Sequence, residues 1–152
     1  MASGAGIVRK RLRSKVPLTG AEASSDLHRV LVVEDEEAVA EGLRLLLEQE
    51  YEVAVAPTGR RALDMILGNP PFDAVLCDLM MPGMSGIDLF SAVKAAAPGM
   101  EERLVFMTGG AFTPEAEAFL DEISNARVEK PFDFASVDHL LRLAATGKSR
   151  PG

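Results

Sequence analysis

The chain has 152 residues, enough for one domain of ordinary size with loose ends, and 47% of them are hydrophobic, which excludes a wholly disordered polymer. From Arg29 onward 11 basic residues stand against 21 acidic ones, a net of −10, so this part should repel nucleic acid and anionic lipid. A single cysteine, Cys77, rules out an internal disulfide and fits a reducing, cytoplasmic setting; no apolar run reaches the roughly 20 residues that span a bilayer, and none follows the basic cluster Arg9, Lys10, Arg11, Arg13 and Lys15 as it would in a signal peptide.

Residues 1–27, rich in Gly, Ser, Ala and basic side chains, show no sustained period and are expected to be a flexible basic linker or tail. The expected domain is 28–146, with a polar C-terminal tail over 147–152. Val30 to Val33 form a continuous apolar run that ends in Glu34 and Asp35, the pattern of a strand buried on both faces. Val39, Leu43, Leu46 and Leu47 then recur at helical spacing, with Glu34 and Asp35 placed to cap that helix. A second strand spans 51–56, with Val53 and Val55 alternating. Thr58 suits the N-cap of a helix burying Ala62, Met65 and Ile66, which Gly68, Asn69, Pro70 and Pro71 end.

Ala74 to Cys77 make a third strand ending at Asp78, and a loop with Pro82, Gly83, Ser85 and Gly86 leads to a helix with Leu89, Phe90, Val93 and Ala97 on one face. Leu104 to Met107 make a fourth strand ending at Thr108. Thr113-Pro114 starts a helix with Ala116, Phe119, Leu120 and Ile123 inward. A short strand, 126–129, runs to Lys130, and after Pro131 a last helix buries Val137, Leu140, Leu141 and Ala144. Strand and helix thus alternate five times, which predicts right-handed crossovers, a five-stranded parallel sheet covered on both faces, and a ligand site beyond the carboxyl ends of the strands.

The polar residues at those ends are Glu34, Asp35, Asp78, Thr108 and Lys130. Three crowded carboxylates raise one another's pKa, and a hard divalent cation relieves them. A carboxylate also serves as a nucleophile toward phosphorus, with the metal, an ammonium and a hydroxyl stabilising the phosphoryl oxygens. Gly109 and Gly110 offer backbone N–H groups a close approach to such a group.

The stretches RVLVVEDEE, AVLCDLMMPGMSGIDL, RLVFMTGG and RVEKPFD, in this order and each at a strand end, resemble the receiver domain of two-component response regulators over roughly residues 29–145. The resemblance implies a flavodoxin-like, doubly wound sheet of strand order 2-1-3-4-5. It implies Asp78 as phosphoacceptor, and Mg²⁺ (or Mn²⁺) held by Asp35, Asp78 and the Met80 backbone carbonyl, with Glu34 acting through water. It further implies phosphoryl contacts from Thr108 and Lys130 and a cis bond before Pro131. A sensor histidine kinase or histidine phosphotransfer protein is the implied partner, a homodimer is left open, and no direct contact with nucleic acid or membrane is expected.

The chain departs from the family pattern in three places. Glu34 stands where an aspartate is usual, and Arg127 occupies the switch position that many receivers fill with Tyr or Phe. Met80 and Gly110 hold the positions that flank the attacking water and offer it no acid, amide or base. Cys77 is expected to pack rather than react, Met80, Met81 and Met84 to form part of a partner-facing rim, and the isolated His28 and His139 not to be phosphodonors. A metal-dependent α/β phosphatase and a degenerate receiver acting only as a binding module are the alternatives. Output is expected through protein contacts or phosphorelay, with no DNA-binding output domain, from a standalone protein or a hybrid-kinase fragment.

Overall fold

A computed structural model describes residues 28–109 and 113–146. The expected tails over 1–27 and 147–152, the basic cluster and Gly110 lie outside the described residues. Five strands, β1 (Arg29–Val33), β2 (Glu52–Ala56), β3 (Ala74–Asp78), β4 (Leu104–Thr108) and β5 (Arg127–Glu129), form one sheet in the order β2-β1-β3-β4-β5. Every neighbouring pair is parallel. The connections are the helices α1 (Glu37–Leu47), α2 (Gly59–Ile66), α3 (Gly86–Ala96) and α4 (Pro114–Glu122), and α5 (Phe134–Thr146) follows β5.

Period-two alternation along the strands builds two cores, one on each face of the sheet. Leu31, Val33, Val75, Cys77, Leu104 and Phe106 point to the side covered by α2, α3 and α4. Val30, Val32, Leu76, Val105, Met107 and Val128 point to the side covered by α1 and α5. All five residues of β3 and of β4 are buried, so the central strands cannot slide without exposing one face or the other.

Several local expectations need correction. The N-cap of α1 is Glu36, with no side-chain cap; neither Glu34 nor Asp35 occupies that position, although the Glu34 carboxylate accepts the Glu36 N–H at 3.1 Å. Leu46, expected inward, is 38% exposed, because the buried stripe of α1 runs through Ala40, Leu43 and Leu47, and Leu46 lies one residue to its side. Met81, expected at an exposed rim, packs in the core beside Leu79, while Met80 is exposed and Met84 half-buried. A 3₁₀ turn at Met100–Arg103, entered through Gly99 at φ 102°, was not anticipated. The caps at Thr58 and Thr113 form as expected, each hydroxyl accepting the N–H three residues on. Among the described residues no helix is long and apolar enough to cross a membrane.

The far end of the α1–α5 face is tied by one polar group. The buried Tyr51 hydroxyl donates to the Asp138 carboxylate, and Arg142 lies over the Tyr51 ring while pairing with Asp138 and Glu50. Burial, then the Asp138 acceptor, hold the Tyr51 hydroxyl well above its ordinary pKa of 10.0. Its contribution is therefore complete below the unfolded tyrosine's pKa and is lost as pH rises above it, because the unfolded chain ionises first. Tyr51→Phe should cost about 1 kcal/mol near neutral pH. Urea unfolding should show that gap narrowing above pH ~10.

Candidate functional site

Four strands bring their C-terminal polar residues to one edge of the sheet. Glu34 and Asp35 follow β1, Asp78 ends β3, Thr108 ends β4 and Lys130 follows β5. Glu34, Asp35 and Asp78 each present a carboxylate oxygen, and these oxygens lie within 4.8 Å of one another. Glu34 is 1% and Asp78 8% exposed, whereas Asp35 faces solvent. Lys130 reaches in from the other side, its Nζ 3.4 Å from Glu34 Oε1 and 3.6 Å from Asp78 Oδ2.

Both buried acids have pKa values raised above the ordinary carboxylate range. Mutual repulsion was the cause expected from the sequence, but burial is the larger one in each case. For Asp78 the Lys130 ammonium and the Met80 N–H pull the other way, and Asp35 adds a smaller upward push. For Glu34 the Glu36 N–H and Lys130 oppose the shift and Asp78 adds to it. Three carboxylates against one ammonium leave two negative charges uncompensated. Oxygen donors in a cluster of this size, short of two positive charges, fit a hard divalent cation.

Thr108 Oγ1 is the one buried side-chain polar atom without a hydrogen-bond partner among the described residues. A buried hydroxyl left unpaired costs free energy, so it stands ready to donate to a ligand at this edge. The Thr108 carbonyl accepts from Lys130 N at 2.8 Å, which ties the two residues through the backbone. The Lys130–Pro131 peptide bond is cis. Arg127 is exposed on β5, in register with Phe106. Cys77 is fully buried, and burial pushes its thiol pKa up, so it stays protonated as packing. His28 lies 3.6 Å from Asp73, and His139 is exposed on α5.

The loop from Asp78 to Gly86 carries Met80. Leu79 N donates to Met107 O at 3.0 Å, Gly86 N donates back to Leu79 O at 2.9 Å, and Ser85 and Asp88 close a capping box on α3. Sequence reasoning took Ser85 only as a breaker, although the Ser-x-x-Asp spacing was the available signal. It also assigned nothing to Gly59, whose contact with this loop appears only once α2 and α3 are packed side by side.

Comparison with known proteins follows the same lines. The family model described as response regulator receiver domain matches residues 30–142. The transcriptional regulatory protein DltR of Streptococcus agalactiae (serotype III, strain NEM316) is 36% identical over 114 residues, covering 74% of this chain and 48% of that protein. This chain spans about half the length of the curated relatives it matches. A response regulator receiver domain protein from Clostridium thermocellum superposes with a TM-score of 0.71 at 25% identity, over 80% of this chain and 97% of that one. The receiver domain of sensor histidine kinase PA1611 from Pseudomonas aeruginosa PAO1, with a magnesium ion coordinated in its active site cleft, superposes at 0.69 and 22% identity, over 79% and 98%.

The desolvated charge of Asp78 predicts a stability effect. Because its folded pKa is raised, the folded state is favoured below the unfolded value of 3.8 and loses that advantage as pH rises. Asp78→Asn should therefore stabilise the metal-free protein at pH 7 by about 1 kcal/mol, and the difference should shrink toward pH 4. Thermal unfolding in a chelator at the two pH values measures it.

Proposed function

Because this chain belongs to the response regulator receiver domain family of two-component systems, we propose that it is a phosphorylation switch whose acceptor is Asp78. The observation that carries this is the convergence of Glu34, Asp35 and Asp78 with Lys130 at one sheet edge. An Asp78 carboxylate oxygen attacks the phosphorus of a phosphohistidine on a sensor histidine kinase or histidine phosphotransfer protein. The new P–O bond forms as the P–N bond breaks, and the leaving imidazole keeps the electron pair and takes up a proton from solvent. Asp35, Asp78 and the Met80 carbonyl would hold Mg²⁺ or Mn²⁺ directly and Glu34 through water. When bound, the metal supplies positive charge to the acids and to the phosphoryl oxygens.

The Lys130 ammonium moves from a carboxylate to a phosphoryl oxygen and the Thr108 hydroxyl donates to another, a reading supported by the Lys130–Asp78 pair and by the lack of a Thr108 hydroxyl partner among the described residues. Met80, two residues after Asp78, carries no acid that could protonate a leaving group, which favours an acceptor over a phosphatase turning over outside substrates. The intact set of Asp78, Thr108 and Lys130 favours it over a receiver that only binds. For the domain itself, with the boundaries 28–146, output runs through protein contacts or phosphorelay in the cytoplasm. DltR bears the name of a transcriptional regulator, and this chain spans about half of it. Arg127 at the switch position puts no aromatic ring there, so the signal leaves Thr108 by another contact.

Incubation with Mg²⁺ and acetyl phosphate, followed by intact mass spectrometry, should add one phosphoryl group to the wild type and none to Asp78→Asn. No gain in the wild type under metal saturation, or an equal gain in the variant, removes Asp78 as acceptor. Met80 and Gly110 offer no side chain to orient water, so the phosphorylated protein should keep its group for minutes or longer without a phosphatase. Loss within seconds, followed by the same mass measurement, would contradict this.

A further inference from the structure

Gly59 opens α2 and is buried, and its φ is not left-handed, so backbone conformation does not call for glycine there. Space does. A Cβ at Gly59 would lie 2.6 Å from the Met84 carbonyl oxygen and 2.9 Å from both Met84 Cβ and Cγ. Real Cβ atoms do not approach backbone oxygen so closely, so any side chain at 59 must displace the segment around Met84. Gly86, which opens α3, faces the same loop from its other end, where a Cβ would lie 2.9 Å from Leu79 Cα and 3.0 Å from the Asp78 carbonyl oxygen. The loop between Asp78 and Gly86 is thus pressed between the first residues of two helices.

Within that loop the freedom to move is uneven. Both ends are tied, by Leu79 N to Met107 O, by Gly86 N to Leu79 O and by the Ser85–Asp88 capping box. Met81 is anchored in the core, and Pro82 has a fixed φ. Met80 is 47% exposed, and its N–H makes only a long bond, 3.4 Å, to Asp78 Oδ1. A push at Met84 falls first on the exposed Pro82 and Gly83 beside it, and the core-anchored Met81 is the link through which it reaches Met80.

We propose that Gly59 is a positioning residue for the metal site: by letting α2 close against Met84, it sets the loop that presents the Met80 carbonyl beside Asp78. This rests on the proposed role of that carbonyl as a metal ligand. Alanine is the better helix former, so on local propensity alone Gly59→Ala would help α2. The inference assigns the opposite effect to metal binding, with α2 intact.

The test is Mg²⁺ titration by isothermal calorimetry on the full chain, with urea unfolding in a chelator as the measure of folding. The variants are Gly59→Ala and, as a control, Gly42→Ala, an exposed α1 position where a Cβ meets nothing within 4 Å. Gly59→Ala should bind Mg²⁺ roughly tenfold more weakly, the scale on which losing a group that orients a ligand weakens a metal site, while still unfolding cooperatively. Gly42→Ala should bind as the wild type does. Equal Mg²⁺ affinity in folded Gly59→Ala overturns the inference and leaves the phosphoacceptor proposal standing. Wild-type protein that binds no Mg²⁺ overturns both. If Gly59→Ala does not fold, Met84→Gly decides, because it removes both side-chain atoms of that contact, Cβ and Cγ, without a clash. Weaker Mg²⁺ binding than wild type supports the positioning role of the Gly59–Met84 contact, and unchanged binding overturns it.

Discussion

Everything at the working edge of this domain depends on holding negative charge where water is scarce. Glu34 follows the buried run Val30–Val33 and Asp78 ends the wholly buried β3, so neither acid can withdraw into solvent without pulling its strand out of the sheet. Burial is the leading cause of both raised pKa values, ahead of the acids' effect on each other. That ordering matters chemically. Desolvation strengthens whatever cation arrives, whereas simple crowding at an exposed surface would be screened by salt. The two cores, one on each face, supply the rigidity that makes the arrangement tolerable.

The compensating groups come from far along the chain. Lys130 is 96 residues from Glu34, yet it meets that carboxylate because β5 sits beside β4 and the Lys130 N–H bonds the Thr108 carbonyl. Thr108 in turn is anchored by its strand, while its hydroxyl has no partner among the described residues. The site therefore combines one satisfied pairing with one unsatisfied donor. In a buried setting this is a reserve of interaction energy available to a ligand.

Beneath Thr108 the structure is aromatic. Phe106, two residues earlier and on the same face of β4, meets the edge of Phe119 on α4 at 5.6 Å, and Phe119 meets Phe90 on α3 at 5.2 Å. These tilted and edge-on contacts attach α3 and α4 to the strand that carries the threonine. Across the sheet edge, Arg127 stands exposed opposite Phe106. The rings that bear on β4 thus come from the helices covering one face, not from β5.

Much of this was legible in the sequence. Continuous apolar runs in 30–33, 74–77 and 104–107 signalled strands buried on both faces, and their alternation with helical periods implied a parallel sheet. Threonine caps at 58 and 113 and the polar residues at the ends of β1, β3, β4 and β5 could be read directly, because those signals are local: periodicity, a hydroxyl before a helix, a charge after an apolar run. What sequence could not decide depends on distance in space. Whether Leu46 or Ala40 completes the buried stripe of α1, and whether Met81 faces the core or the rim, turns on the angle at which neighbouring elements meet. The dominance of burial over repulsion at Glu34 and Asp78 needed the solvent exposure of each carboxylate. The demand for glycine at 59 needed the position of Met84, a residue 25 places away whose carbonyl occupies the volume a side chain would fill. Sequence thus determined which groups reach the edge, since local chemistry writes strand ends. Tertiary structure alone decided how far those groups are from water and from each other, since both are properties of packing between segments remote in the chain.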